Sequence, residues 1–185
     1  RELHRLGPGP GTVMSYGAYP GTGAGGAPLF AAGLHEIGSG VDLPLQPGRI
    51  VEDPSRAWLA GETASPARAE TLPDIDRADA YSWARAPRYD GRTVEVGAVA
   101  RQLVDGRPLI RALVARDGAT SVASRVVARL LEVALVLPAM EAWVGRIAPG
   151  EPFCANVGEP TDGAGIGLVE AARGSLGHWM TVRGG

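Results

Sequence analysis

Gly165-Ile166-Gly167-Leu168-Val169-Glu170-Ala171-Ala172-Arg173-Gly174-Ser175-Leu176-Gly177-His178-Trp179 reads as two short strands joined by a loop of small residues. Residues 166–170 form the first strand and 178–182 the second, with His178, Met180 and Val182 on one side and Trp179 and Thr181 on the other. The loop, 171–177, then lies at the rim of a small sheet. Arg173 is its only charged residue. Small neighbours let other groups approach the backbone closely. An Arg held there can aim a fixed guanidinium at an anionic or electron-rich ligand. Residue types alone leave a plainer alternative open, in which Arg173 sits at a hairpin tip in water or pairs with Glu170.

Upstream, residues 121–147 carry the strongest periodicity. Val126, Leu130, Val133, Leu137, Met140, Val144 and Ile147 recur at spacings of four and three, which places them on one face of a helix of about seven turns. The expectation is a core helix buried on most sides, widened by Leu135, Val136 and Trp143. Arg125, Arg129 and Glu132 fall on another face and can pair at helical spacing. Thr120 or Ser121 supplies the N-cap, and Pro138 a kink. Residues 94–104 predict a shorter helix that stops near Asp105-Gly106. Residues 12–19 read as a strand, 21–26 as a glycine-rich loop without the spacing of a phosphate cradle, and 62–80 as a polar, Ala-rich connector. The expected fold class is α+β, mainly α with short β-hairpins.

Hydrophobic residues make up 45% of the 185, charged residues 21%, and the net charge is −2. This lacks the basic excess expected of a nucleic-acid-binding chain. All 18 basic residues are Arg, a codon signature of a GC-rich bacterial genome. No apolar run reaches the roughly 18–20 residues that span a bilayer. The single cysteine, Cys154, excludes an internal disulfide and reads as a small buried thiol. His178 is expected to be structural, and His4 and His35 carry no signal. A first residue that is not Met and an end at Gly184-Gly185 read as a piece of a longer protein.

Three ordered motif sets carry a resemblance. The first is Ser15-Tyr16-Gly17-Ala18-Tyr19 with Ile50-Val51-Glu52-Asp53 and Ser55-Arg56-Ala57-Trp58. The second is Tyr81-Ser82-Trp83-Ala84-Arg85-Ala86-Pro87-Arg88-Tyr89-Asp90-Gly91, followed by Glu95-Val96-Gly97 and Ala100-Arg101. The third is the 165–179 stretch. Together they resemble the large subunit of nickel-iron hydrogenases and span nearly the whole chain, residues 1–185, as one partial domain of that kind.

The resemblance implies a nickel-iron centre with carbon monoxide and cyanide ligands, held by two CxxC pairs outside these residues, so that no metal ligand lies in the chain; magnesium is admitted as a further ion. It implies that Arg173 hangs over the open site between the metals and assists heterolytic cleavage of H2 to hydride and proton. Ala172 and Arg173 would hold one cyanide, and Leu176 would pack against the carbon monoxide. The implied partner is an iron-sulfur small subunit, with Arg56, Trp83, Arg85, Arg88 and Tyr89 as candidate interface residues. Membrane association would run only through partners, at the cytoplasmic or periplasmic face of a bacterial inner membrane. Ala172 and Ala98 stand where the family usually has Pro, and Arg56 where many members have His. Such departures fit a regulatory hydrogen sensor; a metal-free relative of the respiratory quinone-reducing subunit is a separate alternative, against which the intact 172–179 motif argues.

Overall fold

A computed structural model describes residues 2–22, 26–154, 158 and 161–184. The glycine-rich segment expected at 21–26 falls partly on residues 23–25, outside those described. The chain divides into two compact units, residues 1–44 with 95–185, and residues 45–94. The class is α+β, with strands carrying about as many residues as helices.

In the first unit, β1 (Thr12–Ala18), β2 (Phe30–Glu36) and β3 (Val41–Leu43) form an antiparallel meander, with Thr12 opposite Glu36 and Ala18 opposite Phe30. Helix α1 (Ala98–Val104) lies against this sheet and against α2 (Pro108–Asp117) and α3 (Val122–Val144). Surrounded in this way, α1 buries six of its seven residues, Ala98 through Leu103. The core forms where Ala98, Val99, Ala100 and Leu103 meet Val13, Ile110, Val114 and Ala128.

The first of these helices starts four residues later than its pattern predicts. Glu95 is in extended pairing with β1, donating its N–H to Thr12 O and accepting from Met14 N–H. Helix α2 is an element beyond those expected, although Pro108 at its first turn and Gly118 in left-handed conformation just past its end are start and stop signals.

The long helix keeps its expected start and runs unbroken through Pro138. Ser121 Oγ accepts the N–H of Ser124, and Ser124 Oγ accepts the N–H of Ser121. Ser121→Ala removes half of this reciprocal cap and is expected to destabilise the full-length subunit by about 1 kcal/mol, measured as a lowered denaturation midpoint.

The orientation of α3 departs from expectation. Six of the seven periodic apolar residues lie in α3 and are exposed, Leu130 by 68%, and the seventh, Ile147, lies past its end and is 69% exposed. The buried side carries Ala123, Ser124, Ala128, Glu132 and Ala139. Small side chains there let α1 approach closely, and a carboxylate meets a buried cation. Periodicity shows which residues share a face, not which face a neighbour covers. The expected intrahelical pairing is replaced by long-range pairs, Arg125 with Glu95 and Glu132 with Arg101. Cys154 is exposed rather than buried.

The unit ends in the hairpin of β6 (Gly163–Ala171) and β7 (Gly174–Val182). Its register runs from Gly163 opposite Val182 to Ala171 opposite Gly174. The strands are longer than read from sequence, and the loop shrinks from seven residues to Ala172-Arg173.

In the second unit, β4 (Ile50–Asp53) pairs antiparallel with β5 (Ala86–Tyr89). Residues 62–80 contain no helix or named strand and are tied down by backbone bonds such as Glu52 N–H to Ala64 O and Ala60 N–H to Leu72 O.

Candidate functional site

Gly97 and Gly174 set the position of the two-residue turn. Gly97 has φ +106°, and a Cβ there would stand 3.0 Å from the carbonyl oxygen of Arg173. Gly174 has φ +149°, and a Cβ there would run into the Val96 side chain. The segment leading into α1 and the Arg173 turn therefore meet backbone to backbone, which only glycine permits. Gly174→Ala combines an unfavourable φ with a clash. It is expected to cost about 1–3 kcal/mol, read from the denaturation midpoint of the full-length subunit.

Beneath the turn lies a buried ionic cluster. Arg101, with its side chain 1% exposed, meets both oxygens of Glu132 from α3, at 2.7 and 3.0 Å from Nη2. Its Nη1 donates to Glu170 Oε2 at 2.7 Å and to the carbonyl of Ala171 at 3.0 Å. The other oxygen of Glu170 accepts from the backbone N–H of Tyr16 at 2.8 Å and from Ser175 Oγ at 2.5 Å. Burial by itself would lower the affinity of the Arg101 guanidinium for its proton. The hydrogen bonds and charges of Glu132 and Glu170 outweigh that and hold its pKa above the ordinary value. Tyr16, half-buried and facing the Glu170 charge, has its phenol pushed up to about 12 by burial first and Glu170 second.

Arg173 is exposed and makes no hydrogen bond or ion pair among the described residues. The alternative of an Arg173–Glu170 pair is excluded, because Arg101, Ser175 and Tyr16 take up that carboxylate. Ala172 and Leu176 are also exposed. Leu176 lies opposite Val169 on the outer face of the hairpin, whereas Glu170 and Ser175 share the inner one. Beside the turn is a groove of about 270 Å³ lined by Ala172, Arg129, Glu132 and the apolar Val133, Leu137 and Met140 of α3. Among the described residues, no group of three or more His, Cys, Asp or Glu side chains is arranged to hold a metal ion.

The other candidate residues lie in the second unit and divide. Arg56 is exposed, with its Nη1 3.6 Å from Asp79. Trp83 is 56% exposed and packs against Trp58, ring centroids 5.4 Å apart. Arg85 is partly buried and donates to the carbonyls of Ala60 and Glu70, while Arg88 pairs with Asp53. Tyr89 is a correction: at 2% exposure it belongs to the interior of its unit. There it lies under Arg49 and accepts the N–H of Gln46 at its hydroxyl. Its inward position on β5 follows from strand alternation, which an aromatic-rich motif does not reveal.

Arg101, Glu132, Glu170 and Ser175 are a group that the sequence motifs do not single out. A signal was present: Arg101 follows Ala98-Val99-Ala100, and Glu132 interrupts an apolar run. Charges in such surroundings are buried only when paired.

The whole chain, residues 1–185, matches the family model described as nickel-dependent hydrogenase. The uptake hydrogenase large subunit of Azotobacter chroococcum is 32% identical over 143 residues, covering 62% of this chain and 24% of that protein. The periplasmic [NiFeSe] hydrogenase large subunit of Desulfomicrobium baculatum is 32% identical over 130 residues, covering 62% of this chain and 25% of that protein. The structure of the Ni-Fe-Se hydrogenase from D. vulgaris Hildenborough in the reduced state superposes with a TM-score of 0.83 at 32% identity, over 98% of this chain and 41% of that one. The chain thus spans about a quarter of the length of these curated relatives. With motif order, fold and whole-length match in agreement, the chain belongs to the nickel-dependent hydrogenase family.

Proposed function

We propose that this chain contributes the arginine-bearing wall of a nickel-iron active site, within a large subunit that oxidises H2 reversibly and passes electrons to an iron-sulfur small subunit. The observation that carries this reading is the state of Arg173. Its guanidinium stands on a turn anchored by buried charges, yet has no partner of its own among the described residues. The neighbouring carboxylates are already consumed.

The surroundings suit a compact, electron-rich group. Ala171 and Ala172 leave room at the backbone, Arg173 offers N–H donors, and Leu176 presents an apolar surface on the hairpin's outer face. Cys154 is the only cysteine in the 185 residues, so the thiolates that hold the metals come from elsewhere in the subunit. When bound, the nickel-iron centre, with its carbon monoxide and cyanide ligands, supplies the Lewis-acidic site at which H2 gives two protons and two electrons. Ala172 and Arg173 would hold one cyanide, and Leu176 would flank the carbon monoxide. A guanidinium with an ordinary pKa above ~12 is a poor base near neutrality. Arg173 therefore acts as a fixed donor that stabilises negative charge developing during bond cleavage.

In the second unit, exposed Arg56 and Trp83, with the partly buried Arg85 and Arg88, are offered to the small subunit, since Trp and Arg favour interfaces. No described helix is long and apolar enough to cross a membrane. The test is the full-length subunit purified with its partner. Nickel and iron are expected to be bound, and an artificial acceptor to be reduced only under H2. A metal-free protein, or one without H2-dependent reduction, overturns the reading.

A further inference from the structure

We infer that Arg101 is a positioning residue for Arg173: it clamps both ends of the turn through Glu170 and the Ala171 carbonyl and ties them to α3 through Glu132. The inference rests on the reading of Arg173 as the catalytic cation.

The clamp closes on the turn from both sides. On the incoming strand, Arg101 Nη1 holds the Ala171 carbonyl at 3.0 Å and the Glu170 carboxylate at 2.7 Å. On the outgoing strand, Ser175 Oγ donates to the same carboxylate at 2.5 Å, so Glu170 staples the strands directly across the turn. Only residues 172–174 lie between these anchors. Arg101 Nη2 and Arg129 Nη1 also approach the Ala172 carbonyl, each at 3.4 Å. The remaining side is closed by Gly97, whose backbone meets the Arg173 carbonyl.

Stability alone gives no reason for such a cluster. Desolvating one guanidinium and two carboxylates costs about as much as their attraction returns, and packed apolar residues would often serve as well. What apolar residues cannot do is direct a backbone carbonyl and a cross-strand hydroxyl to fixed points. Position matters for a group that acts on a transition state, where a shift of about 1 Å costs on the order of a hundredfold in rate. Arginine is required because its planar fork serves Glu132, Glu170 and Ala171 together. A lysine ammonium retains the charge but cannot span them.

The experiment uses the full-length enzyme with its partner and compares Arg101→Lys, Arg173→Lys and the double variant. Turnover is expressed per bound nickel. Arg101→Lys is expected to keep its metals, to lower kcat by about tenfold to a hundredfold, and to leave KM for H2 nearly unchanged. Amide hydrogen exchange at residues 172–175 should quicken in the same variant, a readout independent of activity. In the Arg173→Lys background, Arg101→Lys should lower kcat further by less than about twofold, because a residue that acts through another is not additive with it.

Multiplicative losses in the double variant, unchanged kcat in Arg101→Lys, or unchanged exchange at the turn would each overturn the inference. If Arg101→Lys does not load metal, Ser175→Ala removes only the cross-strand arm of the clamp. A drop of about threefold that vanishes in the Arg173→Lys background supports the inference, and a multiplicative drop overturns it. If Arg173→Lys alone leaves turnover intact, the catalytic reading of Arg173 itself has failed. If that variant is impaired but the losses multiply, only the positioning role of Arg101 has failed.

Discussion

Arg173→Lys in the full-length enzyme is expected to retain nickel and iron while turnover with H2 falls by roughly two or more orders of magnitude, as for a lost transition-state donor. Lysine preserves the positive charge, so long-range electrostatics change little. It loses the planar, multi-donor geometry that a guanidinium offers at a fixed distance. The turn is not strained by the exchange, since Arg173 is exposed and makes no hydrogen bond or ion pair among the described residues. Folding and metal content should therefore match the parent enzyme, which separates a catalytic loss from a structural one. The measurement is H2-dependent acceptor reduction normalised to nickel. Near-parental turnover would contradict the role given to this side chain.

Arg101→Leu should have the largest effect on stability, a loss of about 3–5 kcal/mol. The reason lies in what remains behind. Glu170 has a fully buried side chain and Glu132 is 11% exposed. Without the guanidinium, two nearby carboxylates face each other in a site with little access to water. They must either protonate or admit water, and both options disturb the contacts of α1 with α3 and with the hairpin. The penalty is large because one partner is removed, not because the intact cluster is strongly stabilising. Denaturant titration of the purified subunit measures it. A midpoint within experimental error of the parent would show that the cluster is solvated in solution.

Much of the local structure can be read directly along the chain. The two strands read at 166–170 and 178–182, the cap at Ser121 and the stop at Asp105-Gly106 depend on residues close to one another in the chain. The same is true of the short motifs whose order led to the family. Even so, the hairpin loop was read as too long, because 171–177 is rich in small residues and such residues serve a tight turn and a slack loop equally well. Arg173 stood out in the sequence as a candidate because it is the one charge among small residues. At Arg101 the apolar surroundings signalled only that a buried charge needs a partner, not which one, because Glu132 and Glu170 are 31 and 69 positions away.

The order of motifs, the repeat of apolar residues along α3 and the glycines that permit close approach were determined by sequence alone, since each is a property of neighbouring residues or of their spacing. Tertiary structure decided that the side of α3 bearing Ala123 and Ala128, flanked by Val127 and Leu131, packs on the core around α1, and not the stripe from Val126 to Val144. It also decided that Tyr89 turns inward and that Glu170 answers Arg101 and not Arg173. In each of these cases the outcome depends on which surfaces meet across the fold, and the cost of burying a charge without its counter-ion selects among them.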